Sequence, residues 1–307
     1  MGRPKKHDSP AAKQAAYRQR KKQKRNTQNV TKTKITNPAL RYHGGKFRMA
    51  PWIIKHFPEH TCYVEPFCGA ASVLLRKPPS AYEVINDLNS DVVNFFDVLR
   101  DRTGELARAI ELTPFSREMQ LRAYEKAEDN LERVLRLYIR VWQSYGPSEG
   151  VYNTGWRYQI DNSRGGSKIV DEWSRLDNLY AVAARLKNVM IEHDDALNVI
   201  PRFDSSTTLF YVDPPYPHET RGRWSGIAYV GEMSNDDHRK LAEVLRGVKG
   251  MVALSGYECD LYQELYPDWK RLEKSVTTNG NGQAVESLWL SPRCTAIEEL
   301  PLWKVRV

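Results

Sequence analysis

The stretch "TCYVEPFCGAASVLL", residues 61–75, decides the fold. Cys62 to Pro66 reads as a short strand, because its β-favouring residues run without a helical period. Small residues follow at Gly69, Ala70 and Ala71, and a helix is expected over 70–76. Strand, tight turn and helix N-terminus in this order form the nucleotide-binding corner of doubly wound α/β folds. The turn is not G-x-G-x-x-G, since Gly69 is its only glycine. A pyrophosphate needs more bare backbone than that. The corner therefore suits a nucleoside without phosphates; by spacing alone, an ordinary strand-to-helix turn is its rival.

The next segment, "YEVINDLNSD" (82–91), places Asp87 just past a second strand, 18 residues after Gly69. An acid about 20 residues beyond the glycine is the expected acceptor for ribose hydroxyls. A helix cap is the alternative for a lone Asp here. Downstream, short apolar strands alternate with helical stretches, the pattern of a largely parallel sheet. Strands are expected at 62–66, 81–86, 189–193, 207–212, 250–255 and 285–290, and helices at 49–57, 70–76, 90–100, 235–246 and 258–265. Ser234, three residues before Asp237, predicts a capping box.

Between 101 and 188 the rhythm changes. "NLERVLRLYIRVWQS" (130–144) puts Leu131, Val134, Leu135, Tyr138 and Trp142 on one helical face, and Arg133, Arg136 and Arg140 on another. Gly, Asn, Ser, Tyr and Arg then dominate 145–168, a long polar stretch of the kind that carries function inside an α/β domain. Residues 101–188 are expected to form an inserted, mainly helical lobe, with a hairpin or loop near 150–167. The arginine stripe is either a functional surface or a solvated helix face.

"TTLFYVDPPYPH" (207–218) ends a core strand with a carboxylate. Ligands of parallel sheets gather at the carboxyl ends of strands, where Asp213 lies. Pro214 and Pro215 fix φ and supply no N–H groups. Asp213 and Pro214 each precede a proline and are pushed toward extended backbone. The stiff turn offers acceptors only, the Asp213 carboxylate and the Pro214 carbonyl, with Tyr216 as a flat face beside them. Two acceptors and an aromatic plate suit a planar group bearing an NH₂. The plainer alternative is a rigid turn with a solvated acid.

The chain of 307 residues, 41% hydrophobic, is long enough for one large core with a smaller appended lobe. No apolar run approaches membrane-spanning length and no leader resembles a signal peptide, so a cytoplasmic, nucleoid-associated protein without a membrane is expected. Four scattered cysteines and seven histidines show no metal spacing, so no metal site is expected. Residues 1–34 hold twelve Lys/Arg against one acid, a net +11; the whole chain is +8, which leaves −3 for the remainder. Residues 1–37 thus read as a basic, disordered tail attracted to phosphate backbones. "GRPKK" (2–6), with Arg3, Lys5 and Lys6, is similar to a minor-groove AT-hook core. A nonspecific polycation that raises DNA affinity is the simpler account.

In order and spacing, these segments resemble the Dam-like family of DNA adenine methyltransferases, over about residues 38–292. "RYHGGKF" (41–47) is similar to its N-terminal Gly-Gly-Lys motif and "VEPFCGAAS" (64–72) to its methyl-donor loop, with Ala71 where a second glycine is common. "NDLNSD" (86–91), "IEHDDALNVI" (191–200), "DPPY" (213–216), "ALSGY" (253–257) and "TTNGNGQAVESLWL" (277–290) follow in the family's order.

The resemblance implies a Rossmann-like S-adenosylmethionine-dependent methyltransferase fold, with catalytic segments 38–100 and 189–307 and a target-recognition domain at 101–188. It implies S-adenosyl-L-methionine as cofactor, held by Tyr42, Lys46, Glu65, Phe67, Gly69, Asp87, Asp195 and Asp213. Duplex DNA is the partner, and no obligate protein partner is evident. Asp213, Pro214 and Tyr216 are the expected catalytic set for methylating the 6-amino group of adenine, with the base flipped out. Asn153, Arg157, Arg164, Arg221 and Arg223, with the arginine stripe and the tail, are the expected DNA contacts. Methylation of the exocyclic amine of cytosine, and a nonenzymatic DNA-binding protein on the same fold, are the alternatives.

Overall fold

The computed structural model describes residues 35–42, 44–145, 153–160, 168–220, 231–277 and 283–295. Arg3, Lys5, Lys6, Arg164, Arg221 and Arg223 lie outside the described residues, as does most of the basic tail.

The strands are β1 (Cys62–Glu65), β2 (Tyr82–Asn86), β3 (Val189–Glu192), β4 (Thr208–Val212), β5 (Met251–Gly256), β6 (Lys270–Thr277) and β7 (Gln283–Leu290). They form one seven-stranded sheet in the order β3-β2-β1-β4-β5-β7-β6. The first five run parallel, whereas β7 is antiparallel to both β5 and β6. Val64 of β1 pairs with Val84 on one side and Phe210 on the other. Beyond β2 lies β3 and beyond β4 lies β5, so the strand order reverses at β1 and β4. This is the place where doubly wound sheets open a crevice for ligands.

Both faces of the central strands are covered. Neighbouring residues alternate between two apolar clusters: Tyr63, Leu209, Tyr211 and Ala253 enter one, and Val64, Phe210, Val212 and Leu254 the other. Double burial is why β4 and β5 read as unbroken apolar runs rather than alternating ones. The edge strand β6 escapes sequence reading for the opposite reason. Its "KRLEKSVT" exposes Lys270, Glu273 and Ser275, charged and polar residues of the kind that blunt an unpaired edge.

The described helices are α1 (Ala50–Ile54), α2 (Ser72–Arg76), α3 (Ser90–Asp101), α4 (Thr103–Leu112), α5 (Arg117–Arg122), α6 (Asn130–Gln143), α7 (Ile169–Trp173), α8 (Asp177–Leu186), α9 (Ala196–Arg202), α10 (Asn235–Gly247), α11 (Asp260–Leu265) and α12 (Pro292–Thr295). The capping box forms as expected on α10: the Ser234 hydroxyl accepts from Asp237 N–H at 3.2 Å, while Asp237 Oδ2 accepts from Ser234 N–H at 3.0 Å. Helices α4–α8 lie between β2 and β3 in the chain. Their Leu106, Ile110, Val134, Tyr138 and Leu186 join the same cluster as Phe95, Phe96 and Leu99 of α3. In α6 the buried face is wider than the expected stripe and includes Leu137, Ile139 and Val141, because the helix packs against α3, α4 and α5 together. No described helix is long and apolar enough to cross a membrane.

Candidate active site

The carboxyl ends of β1, β2, β3 and β4 open into a cavity of about 260 Å³. The segment from Tyr42 to Lys46 also lines it. Tyr42, Lys46, Glu65, Phe67, Gly69, Asp87, Asp195, Asp213 and Pro214, drawn from five stretches of the sequence, all face this one space.

The β1–α2 turn is built around Gly69, which adopts a left-handed φ of 46°. A Cβ at this position would stand 2.9 Å from two ring carbons of Tyr42, so glycine lets the Tyr42 ring close over the turn. Ala71, where the resembling family commonly has a second glycine, also takes a left-handed φ, 49°, immediately before α2. Asp87 Oδ2 accepts from the Gly69 N–H at 2.8 Å and Oδ1 from the Asn89 N–H at 2.9 Å. Asp87 is therefore not the helix cap; Asn89 caps α3 by accepting from the Asp91 N–H. Burial raises the Asp87 pKa, against the pull of these N–H donors.

Beneath the turn, Glu65 is fully enclosed. Its Oε1 accepts from the Tyr63 hydroxyl at 2.7 Å and from the Leu74 N–H at 2.6 Å. Desolvation dominates and pushes its carboxyl up to about 7, the two hydrogen bonds only partly opposing the rise. Asn86, which sequence reading missed, ties two loops to the end of β2. Its Nδ2 donates to the carbonyls of Pro66 and Asp194, and its Oδ1 accepts from the Asp194 N–H. Of the two adjacent acids, Asp194 is engaged by Arg202 and Asn198, while Asp195 caps α9 through the Leu197 N–H and stands exposed at the rim.

At the end of β4, Lys46 Nζ lies 3.1 Å from Asp213 Oδ2 and donates to the Gly44 carbonyl at 2.8 Å. The Tyr216 hydroxyl reaches Asp213 Oδ1 at 3.3 Å and Glu286 Oε2 at 3.0 Å. Burial raises the Asp213 pKa, Lys46 opposes that rise, and Glu286 adds to it. The Tyr216 ring is buried, edge-on to Tyr257 at 5.0 Å, with the Lys46 ammonium 5.0 Å from its centroid. Glu286 and Tyr257 were not anticipated as site residues, although both lie within segments that resemble family motifs.

Among the described residues, the expected DNA-contacting side chains do not line this cavity. Arg133 and Arg140 both bind Asp91 of α3, at 2.7 and 3.1 Å, and Arg140 also donates to the Ala123 carbonyl. Arg136 binds Glu132 and the carbonyls of Glu125 and Lys126. Arg157 binds Glu172 at 3.1 Å, and Asn153 Oδ1 accepts from Gln120 at 2.9 Å. The stripe joins helices rather than standing solvated. Trp156, stacked on Tyr158 and capped by the Arg117 guanidinium, anchors the described part of the 145–168 stretch.

The site thus combines the Gly69–Asp87 corner with the part-buried Asp213 carboxylate and an aromatic ring. Residues 42–279 match the family described as D12 class N6 adenine-specific DNA methyltransferase. The chain is 26% identical over 257 residues to DNA adenine methylase of Escherichia coli (strain K12), covering 78% of this chain and 89% of that protein. It is 27% identical over 263 residues to DNA adenine methylase of Salmonella typhi, with the same two coverages. It is 26% identical over 272 residues to Type II methyltransferase M1.LlaDCHI of Lactococcus lactis subsp. cremoris, covering 82% and 92%. A match spanning most of the chain, in the order of its site segments, makes it a member of the D12 class of N6 adenine-specific DNA methyltransferases.

Proposed function

We propose that this adenine-specific DNA methyltransferase takes its methyl group from S-adenosyl-L-methionine and acts on an adenine flipped out of duplex DNA. The observation that carries this reading is the Asp213 carboxylate, part-buried beside Tyr216 and opening into the same cavity as the Gly69–Asp87 corner. The residues present fit the donor. Gly69 leaves room under Tyr42, Asp87 keeps lone pairs for ribose hydroxyls, and together Asp87 and Asp213 give the cavity an anionic lining suited to a cation. When bound, the donor supplies a methyl group already activated on positively charged sulfur.

The protein's task is then positioning and electrostatics. Adenine's exocyclic nitrogen is a poor nucleophile because its lone pair is delocalised into the ring. Asp213 and the Pro214 carbonyl accept its two N–H groups, favour a pyramidal nitrogen and aim the lone pair into the cavity. The N–H proton becomes acidic only as the new bond forms, and Asp213 receives it. Tyr216 is the stacking surface for the extrahelical base.

Residues 101–188 form the target-recognition part in this reading, with Asn153 and Arg157 among its DNA contacts. The +11 of residues 1–34 adds phosphate attraction, and the enzyme works beside the nucleoid in the cytoplasm. Digestion of treated DNA and identification of the methylated nucleoside test the proposal. N6-methyladenine made with S-adenosyl-L-methionine, and lost in Asp213→Ala without loss of folding, is expected. N4-methylcytosine, or an active Asp213→Ala variant, overturns it.

A further inference from the structure

Glu286 lies on β7, 70 positions beyond Tyr216 in the chain, and has no role in the mechanism above. Its carboxylate nevertheless holds the polar end of Tyr216, one of the site's two neighbouring aromatic rings. Oε2 accepts from the Tyr216 hydroxyl at 3.0 Å, and burial together with the Glu286 charge raises the pKa of the adjacent Tyr257 hydroxyl. The two rings meet edge-on, 5.0 Å apart and at 77°. One carboxylate on a strand of the sheet therefore fixes the plane of Tyr216.

The Tyr216 hydroxyl also reaches Asp213 Oδ1, at 3.3 Å. A phenol carries one proton and donates it to one carboxylate at a time. Asp213 Oδ2 is already held by Lys46 at 3.1 Å, so a Tyr216 proton on Oδ1 competes with any amine that needs Asp213 as acceptor. A buried hydroxyl deprived of an acceptor costs free energy, so it leaves Asp213 readily only if another acceptor is in reach. Glu286 is that acceptor, and its contact is the shorter of the two.

We infer that Glu286 is a positioning residue for methyl transfer: it takes the Tyr216 hydroxyl, so that Asp213 is open to the adenine amine while the aromatic plate keeps its orientation. This rests on the reading of Asp213 and Tyr216 proposed above. Glu286 touches neither base nor donor and acts through Tyr216.

The test is single-turnover methylation of duplex DNA by the full chain, with donor affinity measured by calorimetry. Glu286→Ala is expected to slow the chemical step by about 10- to 100-fold, the cost of a misplaced reacting group, with donor affinity unchanged. Glu286→Gln keeps an acceptor oxygen but no charge, and is expected to stay within about threefold of wild type. In a Tyr216→Phe background, Glu286→Ala is expected to add less than about threefold, because the two residues act as one unit. Glu286→Met, similar in volume and lacking an acceptor, repeats the measurement if the alanine variant does not fold. Three results overturn the inference: a glutamine variant as slow as the alanine one, full multiplicativity with Tyr216→Phe, or turnover unaffected by both Ala and Met. Failure of the underlying reading is seen separately, as N4-methylcytosine in DNA treated with wild type or as an active Asp213→Ala variant.

Discussion

Lys46 and Asp213 form a largely enclosed ion pair at the end of β4, Nζ to Oδ2 3.1 Å, although the two residues lie 167 positions apart in the chain. Asp213 accepts an amine N–H best when ionised. Burial raises its pKa and Lys46 holds the rise in check. Removing the ammonium lifts that pKa further, so the acid limb of the pH–rate profile moves to higher pH. Lys46→Met is expected to shift it upward by about one unit or more, the usual effect of losing an opposite charge at this distance. Initial rates of DNA methylation across pH check this, and an unmoved limb shows that Lys46 does not tune Asp213.

Glu65 gives stability a pH dependence of its own. Its carboxyl is raised from 4.5 to about 7 in the folded protein, so between those values the native state holds a proton that the unfolded chain has released. Native stability therefore falls as pH rises through this window and levels off above it. Glu65→Gln keeps the acceptor for Tyr63 and Leu74 and removes the titration. The variant is expected to flatten this part of the profile and to gain up to about 3 kcal/mol at pH 8. Urea unfolding at pH 5 and pH 8 is the measurement.

The donor corner depends on the absence of one methyl group. A Cβ at Gly69 meets the Tyr42 ring at 2.9 Å and also sits on a left-handed backbone. Gly69→Ala is expected to cost about 1–2 kcal/mol of stability from the backbone alone. It is also expected to swing Tyr42 out of place, weakening S-adenosyl-L-methionine at least about tenfold, as about 1.4 kcal/mol of lost contact would. Calorimetric titration with the donor, alongside thermal unfolding, reports both. Undiminished affinity would detach Tyr42 from donor binding.

Much of this site was legible because its signals are local. Strand, small-residue turn and helix fall within fifteen residues at 61–75, and Asp213-Pro-Pro-Tyr216 marks its own rigid turn. The doubly buried strands β4 and β5 stood out as apolar runs. What stayed hidden joins distant parts of the chain. Nothing near Glu286 in sequence indicates that Tyr216, 70 positions earlier, lies 3.0 Å away. The charged edge strand β6 looks like a surface loop, because its partner β7 shields only part of it. Asn86 was passed over as the last residue of a strand, yet its amide holds the Pro66 and Asp194 loops. The arginines of α6 had the period of a surface stripe, and their common partner on α3 could not be inferred from that period.

That partner is Asp91, which accepts from Arg133 on one oxygen and from Arg140 on the other. The pairing ties α6 to the first turn of α3, just past the Asp87 corner, so its loss should be felt in stability before DNA affinity. Arg140 is the more deeply enclosed, 11% exposed against 31% for Arg133. Arg140→Met is expected to lower stability by about 1–3 kcal/mol, since Asp91 and the Ala123 carbonyl each lose a charged donor. Nonspecific DNA affinity should keep its salt dependence. An arginine on a phosphate would instead reduce the slope of log K against log salt by about 0.9. Thermal unfolding together with DNA binding at several salt concentrations separates the two roles. A reduced slope without loss of stability would return the stripe to the DNA.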